Sequence, residues 1–298
     1  MIYLVWHIVL LSGFGLLLKD AKNRGHRLNP IGLVNYSTAF ILACFLAFQE
    51  GNLGFTKFTF AFGLANGASY ALGFVLVVAG IRVIGIIVTT AAIRLSMIIP
   101  IILSVFFWND PVNIYQKIGI LIALIALPLL AMNTESTTTD DHTRERQKTK
   151  ITFVIVALLF INSGVGSIAM KGFNEMCPID QKPMYLVFLF LVTTIPYLFV
   201  CFGKRQLPNY IEFFYGILIG FCNITGSGMF LVTLDYLAAS IVFPVSSSGG
   251  MLFTTIVGVL VLGERFNKMM ALGIVLTSIS LVLVNLGLGS RKYQKLLL

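Results

Sequence analysis

Charge is what this sequence has least of. Only 11% of its 298 residues are charged, where a soluble globular domain carries about a quarter. Hydrophobic residues make up 57%, and the mean hydropathy is +0.92. Water-soluble packing cannot hide that much apolar surface, so the class is a polytopic, multi-pass membrane protein. Cysteine is sparse: Cys44, Cys177, Cys201 and Cys222 are scattered and form no CxxC pair. That spacing supports neither a disulfide framework nor a metal site. HExxH, GxSxG, Walker A and paired acids within the spans are absent, which argues against an enzyme and against any cofactor. No Asp or Glu falls near the middle of a predicted helix. Proton coupling, which commonly uses intramembrane acids or histidines, is left with His7 and Asp235, and facilitated diffusion or exchange fits as well. Acidic residues are scarcer than basic ones, 12 against 21, for a net charge of +9. The cations lie mostly between apolar runs, which makes them loop and orientation signals rather than a nucleic-acid surface. The first stretch, MIYLVWHIVLLSGFGLLL, lacks a basic n-region and a small-residue cleavage site, so it reads as a first spanning helix rather than a cleaved signal.

What the chain does have is a pattern written twice. From Ser240 to Leu286, two long apolar runs flank a polar elbow at Gly263-Glu264-Arg265-Phe266-Asn267-Lys268. The first run is interrupted by Pro244 and by Ser246, Ser247, Ser248, Gly249 and Gly250. This predicts a helix that opens toward a polar cavity, its freed backbone groups met by hydroxyls, water or neighbouring helices. The earlier version runs from Ile86 to Met132. An offset of 154 pairs Asp110 with Glu264, Gly119 with Gly273, Asn113 with Asn267 and Met97 with Met251. Ser12-Gly13-Phe14-Gly15 before Lys19 is likewise matched by Ser163-Gly164-Val165-Gly166 before Lys171. A repeat of half the chain in a membrane protein points to a transporter built from two related halves with its site between them.

A span of the hydrocarbon core needs about 20 apolar residues. On that measure the sequence predicts ten transmembrane helices near 2–18, 31–49, 58–80, 84–107, 115–132, 151–170, 184–202, 211–234, 240–262 and 268–288. The stretch 133–150, NTESTTTDDHTRERQKTK, reads as a polar linker. Residues 1–132 then form a first five-helix repeat, and 151–298 a second with a short basic tail. Five is odd, so the halves insert in opposite senses and the repeat is of the inverted-topology kind. Counting Lys and Arg in the loops gives 7 on the side of both termini and 13 on the other, a bias that favours termini outside the cytoplasm.

The repeated pattern resembles the drug/metabolite transporter superfamily, of the EamA-like type. The residues that carry the likeness are Leu262-Gly263-Glu264-Arg265 with Gly273, more loosely Trp108-Asn109-Asp110-Pro111 with Gly119, and Tyr236 to Ser240 leading to Pro244. The first half departs from the pattern in having Asp110 where the family has glutamate. The resemblance implies ten helices in two inverted repeats, and a cavity lined by the third, fourth, eighth and ninth. It also implies small metabolites or drugs as cargo and both termini in the cytoplasm, against the charge count.

Candidate substrate-binding residues follow from polarity at membrane depth. Arg94 sits near the middle of the fourth helix; such residues usually face a bundle interior or a wet cavity. Its planar fork suits a carboxylate or phosphate. The competing reading is a structural partner for helix carbonyls or for a carboxylate such as Asp235, which itself lies near a helix end and reads as a gating residue or a lysine's partner. Ser246, Ser247 and Ser248 surround the position related to Arg94 by the offset, since 94 + 154 = 248; they read equally as ligand contacts or as close helix packing. Asn66 and Tyr70 on the third helix and Asn223 on the eighth are polar residues in apolar runs, each separately explicable as an interhelical hydrogen bond. Glu264 and Asp110 read as structural charges at helix N-termini, Lys19 and Lys171 as snorkelling ends, and His7 as an interfacial or packing residue. Gly63 with Gly67, and Gly216 with Gly220, have the small-xxx-small spacing of close helix pairs. Together these predict a plasma (inner) membrane carrier of a small anionic or zwitterionic metabolite, working by alternating access. The alternatives are an exporter of cationic or neutral amphiphiles and, from another class, an intramembrane enzyme or a receptor. Its partners are the solute and the bilayer, with no nucleic acid.

Overall fold

The computed structural model of the chain describes residues 2–51, 53–83, 89, 92–94, 96–109, 112–131, 142–262 and 268–286. Ten α-helices run through them: α1 (Ile2–Asn23), α2 (Leu28–Gln49), α3 (Lys57–Val83), α4 (Ile98–Trp108), α5 (Ile114–Ala131), α6 (His142–Met176), α7 (Lys182–Gly203), α8 (Tyr210–Tyr236), α9 (Ala239–Leu262) and α10 (Lys268–Leu286). Among the described residues there is no strand. Backbone polar groups in hydrocarbon must be satisfied within the segment, and a helix does that. Six helical stretches are long and apolar enough to cross a membrane, and four shorter apolar ones accompany them among the described residues. The outward residues are apolar too: Phe45, Phe48, Phe106, Phe107 and Phe199 are all exposed. The protein is an integral, multi-pass membrane protein. The start of α6 takes in the end of the polar stretch 133–150. The acidic elbows at Asp110 and Glu264 lie outside the described residues.

The chain divides into two compact units, and each draws on both halves of the sequence. Unit 1 is Met1–Ala71 with Gly166–Val242; unit 2 is Leu72–Val165 with Phe243–Leu298. In unit 2, α5 packs along α10, and the Ser280 hydroxyl donates to the Gly119 carbonyl at 2.7 Å.

In unit 1, α2 packs against both α7 and α8, and α8 also against α1. Glycine sets the closeness of these pairs. A Cβ added to Gly63 of α3 would lie 2.7 Å from Phe188 Cβ and 3.2 Å from the Tyr185 carbonyl oxygen; one on Gly67 would lie 2.6 Å from the Leu189 carbonyl oxygen. On α8, Gly216 would meet Val34 Cβ at 2.4 Å and the Ile31 oxygen at 3.1 Å, and Gly220 the Asn35 oxygen at 2.7 Å. The two sets correspond residue for residue. Ile31, Val34 and Asn35 become Tyr185, Phe188 and Leu189 on adding 154, while Gly63 and Gly67 become Gly216 and Gly220 on adding 153.

The ends of unit 1 are tied by a second corresponding pair of contacts. Asn209 caps α8: its side chain accepts the Glu212 N–H, and the Glu212 carboxylate accepts the Asn209 N–H, the reciprocal capping arrangement. Arg27, between α1 and α2, brings its backbone N–H, Nε and Nη2 to that buried carboxylate at 3.1, 2.9 and 2.7 Å. The bonds to Glu212 hold the guanidinium above its ordinary pKa. At the other end the Thr56 hydroxyl accepts the Thr59 N–H at 3.1 Å. Gln181, just before α7, accepts the Thr56 N–H at 2.9 Å and the Thr59 hydroxyl. Arg27 and Gln181 are related by 154, and Thr56 and Thr59 relate to Asn209 and Glu212 by 153. One end carries a charged clamp and the other a neutral one.

Gly67→Ala and Gly220→Ala should each lower the unfolding midpoint of the purified protein, by the equivalent of about 1–3 kcal/mol for overpacking, since a backbone carbonyl cannot retreat. Gly13→Ala, whose nearest atom is Cys222 Sγ at 3.8 Å, should leave it unchanged. Equal losses at Gly13 and Gly67 would refute close approach as the role of the glycine pairs.

Candidate functional site

Arg94 belongs to unit 2, and the helix that carries it is interrupted. Residues 92–94 are helical, Ser96 and Met97 form a turn, and α4 begins at Ile98. The cause is Pro100, which lacks an N–H and whose ring crowds the carbonyl four residues back. That carbonyl, on Ser96, accepts instead from the Ile99 N–H at 3.0 Å, and the Met97 N–H turns to the Arg94 oxygen at 3.3 Å. The Ser96 hydroxyl closes the turn by donating to the Ile93 oxygen at 2.6 Å. The unbroken helix expected over 84–107 is thereby corrected. Arg94 itself is half-buried. Among the described residues its guanidinium has no ion pair or hydrogen bond, and its Nη1 lies 3.9 Å from where a Cβ on Gly250 would stand.

The break expected at Ser246 to Gly250 is not there. Helix α9 runs from Ala239 to Leu262, through Pro244 and both glycines. A glycine costs a helix only about 1 kcal/mol, whereas each backbone group orphaned in hydrocarbon costs several, so the helix stays wound. Ser246 and Ser248 are buried on it and Ser247 is half-buried. The Ser248 hydroxyl, at the position related to Arg94, is fully buried without a hydrogen-bond partner among the described residues.

The other predicted residues lie in unit 1. Asn66 is fully buried and donates to the Tyr185 hydroxyl at 2.7 Å, while its own carbonyl oxygen has no hydrogen-bond partner among the described residues. Tyr70 is half-buried on α3. Asn223 donates to Asn35 at 3.2 Å. The ring centroids of Tyr36 and Tyr197 are 4.9 Å apart. These form a band of hydroxyls and amides without a formal charge. Asn35 and Ser227 stand out in the sequence as polar residues in apolar runs; Tyr185 carries no such signal, because a tyrosine near a helix start reads as interfacial.

The remaining charged candidates find local partners. Asp235, weighed as a partner for Arg94, accepts instead from Asn174 at 2.6 Å and pairs with Lys182. Lys19 is exposed. Lys171 is fully buried and paired with Glu175 one turn on, which corrects the snorkelling reading. His7 is buried, with Nδ1 2.8 Å from the Gly226 oxygen and its ring 4.7 Å from Phe230, so it packs inside rather than at the interface. No group of His, Cys, Asp and Glu among the described residues could hold a metal.

Residues 149–286 match the EamA-like transporter family, the likeness read above from Leu262 to Arg265 and Gly273. A solved crystal structure of a protein shares the fold with a TM-score of 0.76 at 11% identity, over 96% of this chain and 97% of its own. No curated protein matches the sequence.

Lys182→Met and Asp235→Leu should each lower the unfolding midpoint, and the double variant should lose less than the sum, with a coupling of about 0.5–3 kcal/mol. Additive losses would show that the pair does not tie α7 to α8.

Proposed function

From the match of residues 149–286 to the EamA-like transporter family, we propose that the chain is a carrier of that family, moving a small anionic or zwitterionic metabolite by alternating access between two inverted five-helix repeats. The observation that carries the substrate class is Arg94. Burying an arginine at the bilayer centre costs about 2.5–3.5 kcal/mol on insertion scales, and nothing among the described residues repays it by an ion pair or hydrogen bond. A carboxylate or phosphate on the solute supplies the missing partner in the guanidinium's own bidentate geometry. The turn just beyond Arg94 supports the same reading, because irregular backbone at membrane depth is tolerated where protein buries it or a wet cavity meets it.

The inverted repeat is supported by the exchanged contacts in unit 1. Helices α3 and α7 meet through the same positions as α8 and α2. The corresponding clamps at Arg27 and Gln181 sit at the two ends of α2, the second through Thr56 in the α2–α3 connection. The bilayer is the plasma (inner) membrane on this reading. The uncharged band at Asn66, Tyr70 and Asn223 favours a second reading, export of neutral or cationic amphiphiles, in which Arg94 is structural.

Thermal stabilisation of the purified protein by metabolites sorted by charge separates the two. An anion or zwitterion at about 100 times its Kd should stabilise the parent by about 2.7 kcal/mol, and Arg94→Ala should abolish the effect and the flux of that solute into proteoliposomes. Stabilisation only by cations or neutral amphiphiles, equal in both proteins, would overturn the anion reading.

A further inference from the structure

The fold contains its own control for one buried polar cluster. In unit 1, Ala21 of α1, Ile31 of α2 and Ile219 of α8 pack together as a buried apolar cluster. Their related positions are Phe173 by 152 (the offset of Lys19 and Lys171), Tyr185 by 154 and Asn66 by 153. These three also meet: Phe173 stacks on Tyr185 with centroids 4.3 Å apart, and Asn66 donates to the Tyr185 hydroxyl at 2.7 Å. The same three-helix junction is thus built twice, around matching glycine contacts, once from an alanine and two isoleucines and once from Phe, Tyr and Asn. Packing does not require the polar version. It also costs stability, since the buried Asn66 Oδ1 lacks a hydrogen-bond partner among the described residues and an unsatisfied buried acceptor loses its hydration without compensation. Oδ1 faces Gly166 closely, since a Cβ there would lie 2.9 Å from it.

The polar junction is also one rung of a ladder. Thr59, Asn66 and Tyr70 are spaced seven and four apart and share one face of α3. Thr59 and Asn66 each bond a polar side chain on another element, Gln181 and Tyr185 in turn. On α8 the related positions are Glu212, Ile219 and Asn223, and the ladder is broken at Ile219. A hydrogen-bonding path therefore runs inward from the end with the α2–α3 and α6–α7 connections, while its counterpart at the Arg27 end meets an apolar block.

We propose that Asn66 and Tyr185, with Phe173, form a subsite for a hydrogen-bond-donating group of the solute, an amine, amide or hydroxyl, reached from the Gln181 end. The Ala21, Ile31 and Ile219 cluster is the plug that closes the equivalent route at the Arg27 end. The subsite role rests on the carrier reading; the difference in access between the two junctions does not.

Two measurements test this. In protein with its four cysteines replaced by alanine, Asn66→Cys and Ile219→Cys are introduced separately, checked for an intact unfolding transition, and reacted in proteoliposomes with 2-aminoethyl methanethiosulfonate. Asn66→Cys should react about tenfold faster or more, in line with an apolar seal present at one junction only; equal rates, or a faster Ile219→Cys, would overturn the route. In the second, Asn66→Ile, Phe173→Ala and Tyr185→Ile together rebuild the plug at the subsite. That variant should unfold at or above the parent's midpoint and lose stabilisation by the donor-bearing solute that stabilises the parent, whereas retained stabilisation would sink the subsite. If no solute stabilises or crosses with the parent, the carrier reading fails, and the labelling ratio still decides the route.

Discussion

Everything in this structure follows from the cost of an unsatisfied backbone group in hydrocarbon. With few charges and long apolar runs, the chain has little choice but to wind each run into a helix. The strength of that constraint is visible where local sequence opposes it. Pro244, three serines and two glycines fail to open α9, because the loss of one donor and some helix propensity is smaller than the cost of freeing several peptide groups. Pro100 does interrupt its helix, and there the orphaned groups are met at once by tighter backbone bonds and by the Ser96 hydroxyl.

Once the backbone is satisfied internally, association of the helices depends on closeness rather than on hydrophobicity, since lipid is as apolar as leucine. Gly63, Gly67, Gly216 and Gly220 supply that closeness through matched contacts. The correspondence makes the differences between the two halves informative. Where geometry is shared, a change of residue type is not a demand of packing. The clamp at one end is an arginine–glutamate pair and at the other a glutamine with two threonines. The junction beneath the charged clamp is apolar, and the one beneath the neutral clamp is polar. On the proposed carrier reading, these two ends are the access routes, of unequal chemistry on one scaffold.

The charged groups divide by whether they found a partner. Glu212, Asp235 and Lys171 are consumed by clamps and pairs near the ends of helices. Arg94 is held beside Gly250 without an ion pair among the described residues. The proposed function rests on that contrast between paired charges and one without an ion pair among the described residues.

How much of this was legible in advance depended on the range of the interaction. Membrane class, helical content, the family likeness and the internal repeat are carried by composition and by short patterns, and the sequence alone determined them. The glycine pairs were legible for the same reason, since small-xxx-small spacing lies within one helix. Arg94 stood out because a charge in an apolar run is conspicuous without any knowledge of its neighbours. The partners were not legible. Which lysine meets Asp235, that the Lys171 side chain is buried, and that Asn66 meets Tyr185 depend on which helices lie side by side. The site of the helix break was also decided by tertiary structure, because Pro244 and Pro100 give similar local signals and only the surroundings determine which freed groups can be satisfied. Local patterns fix which segments are buried in the membrane and wound; residues far apart in the chain meet only once the helices pack, and that packing decides which buried polar groups find a partner.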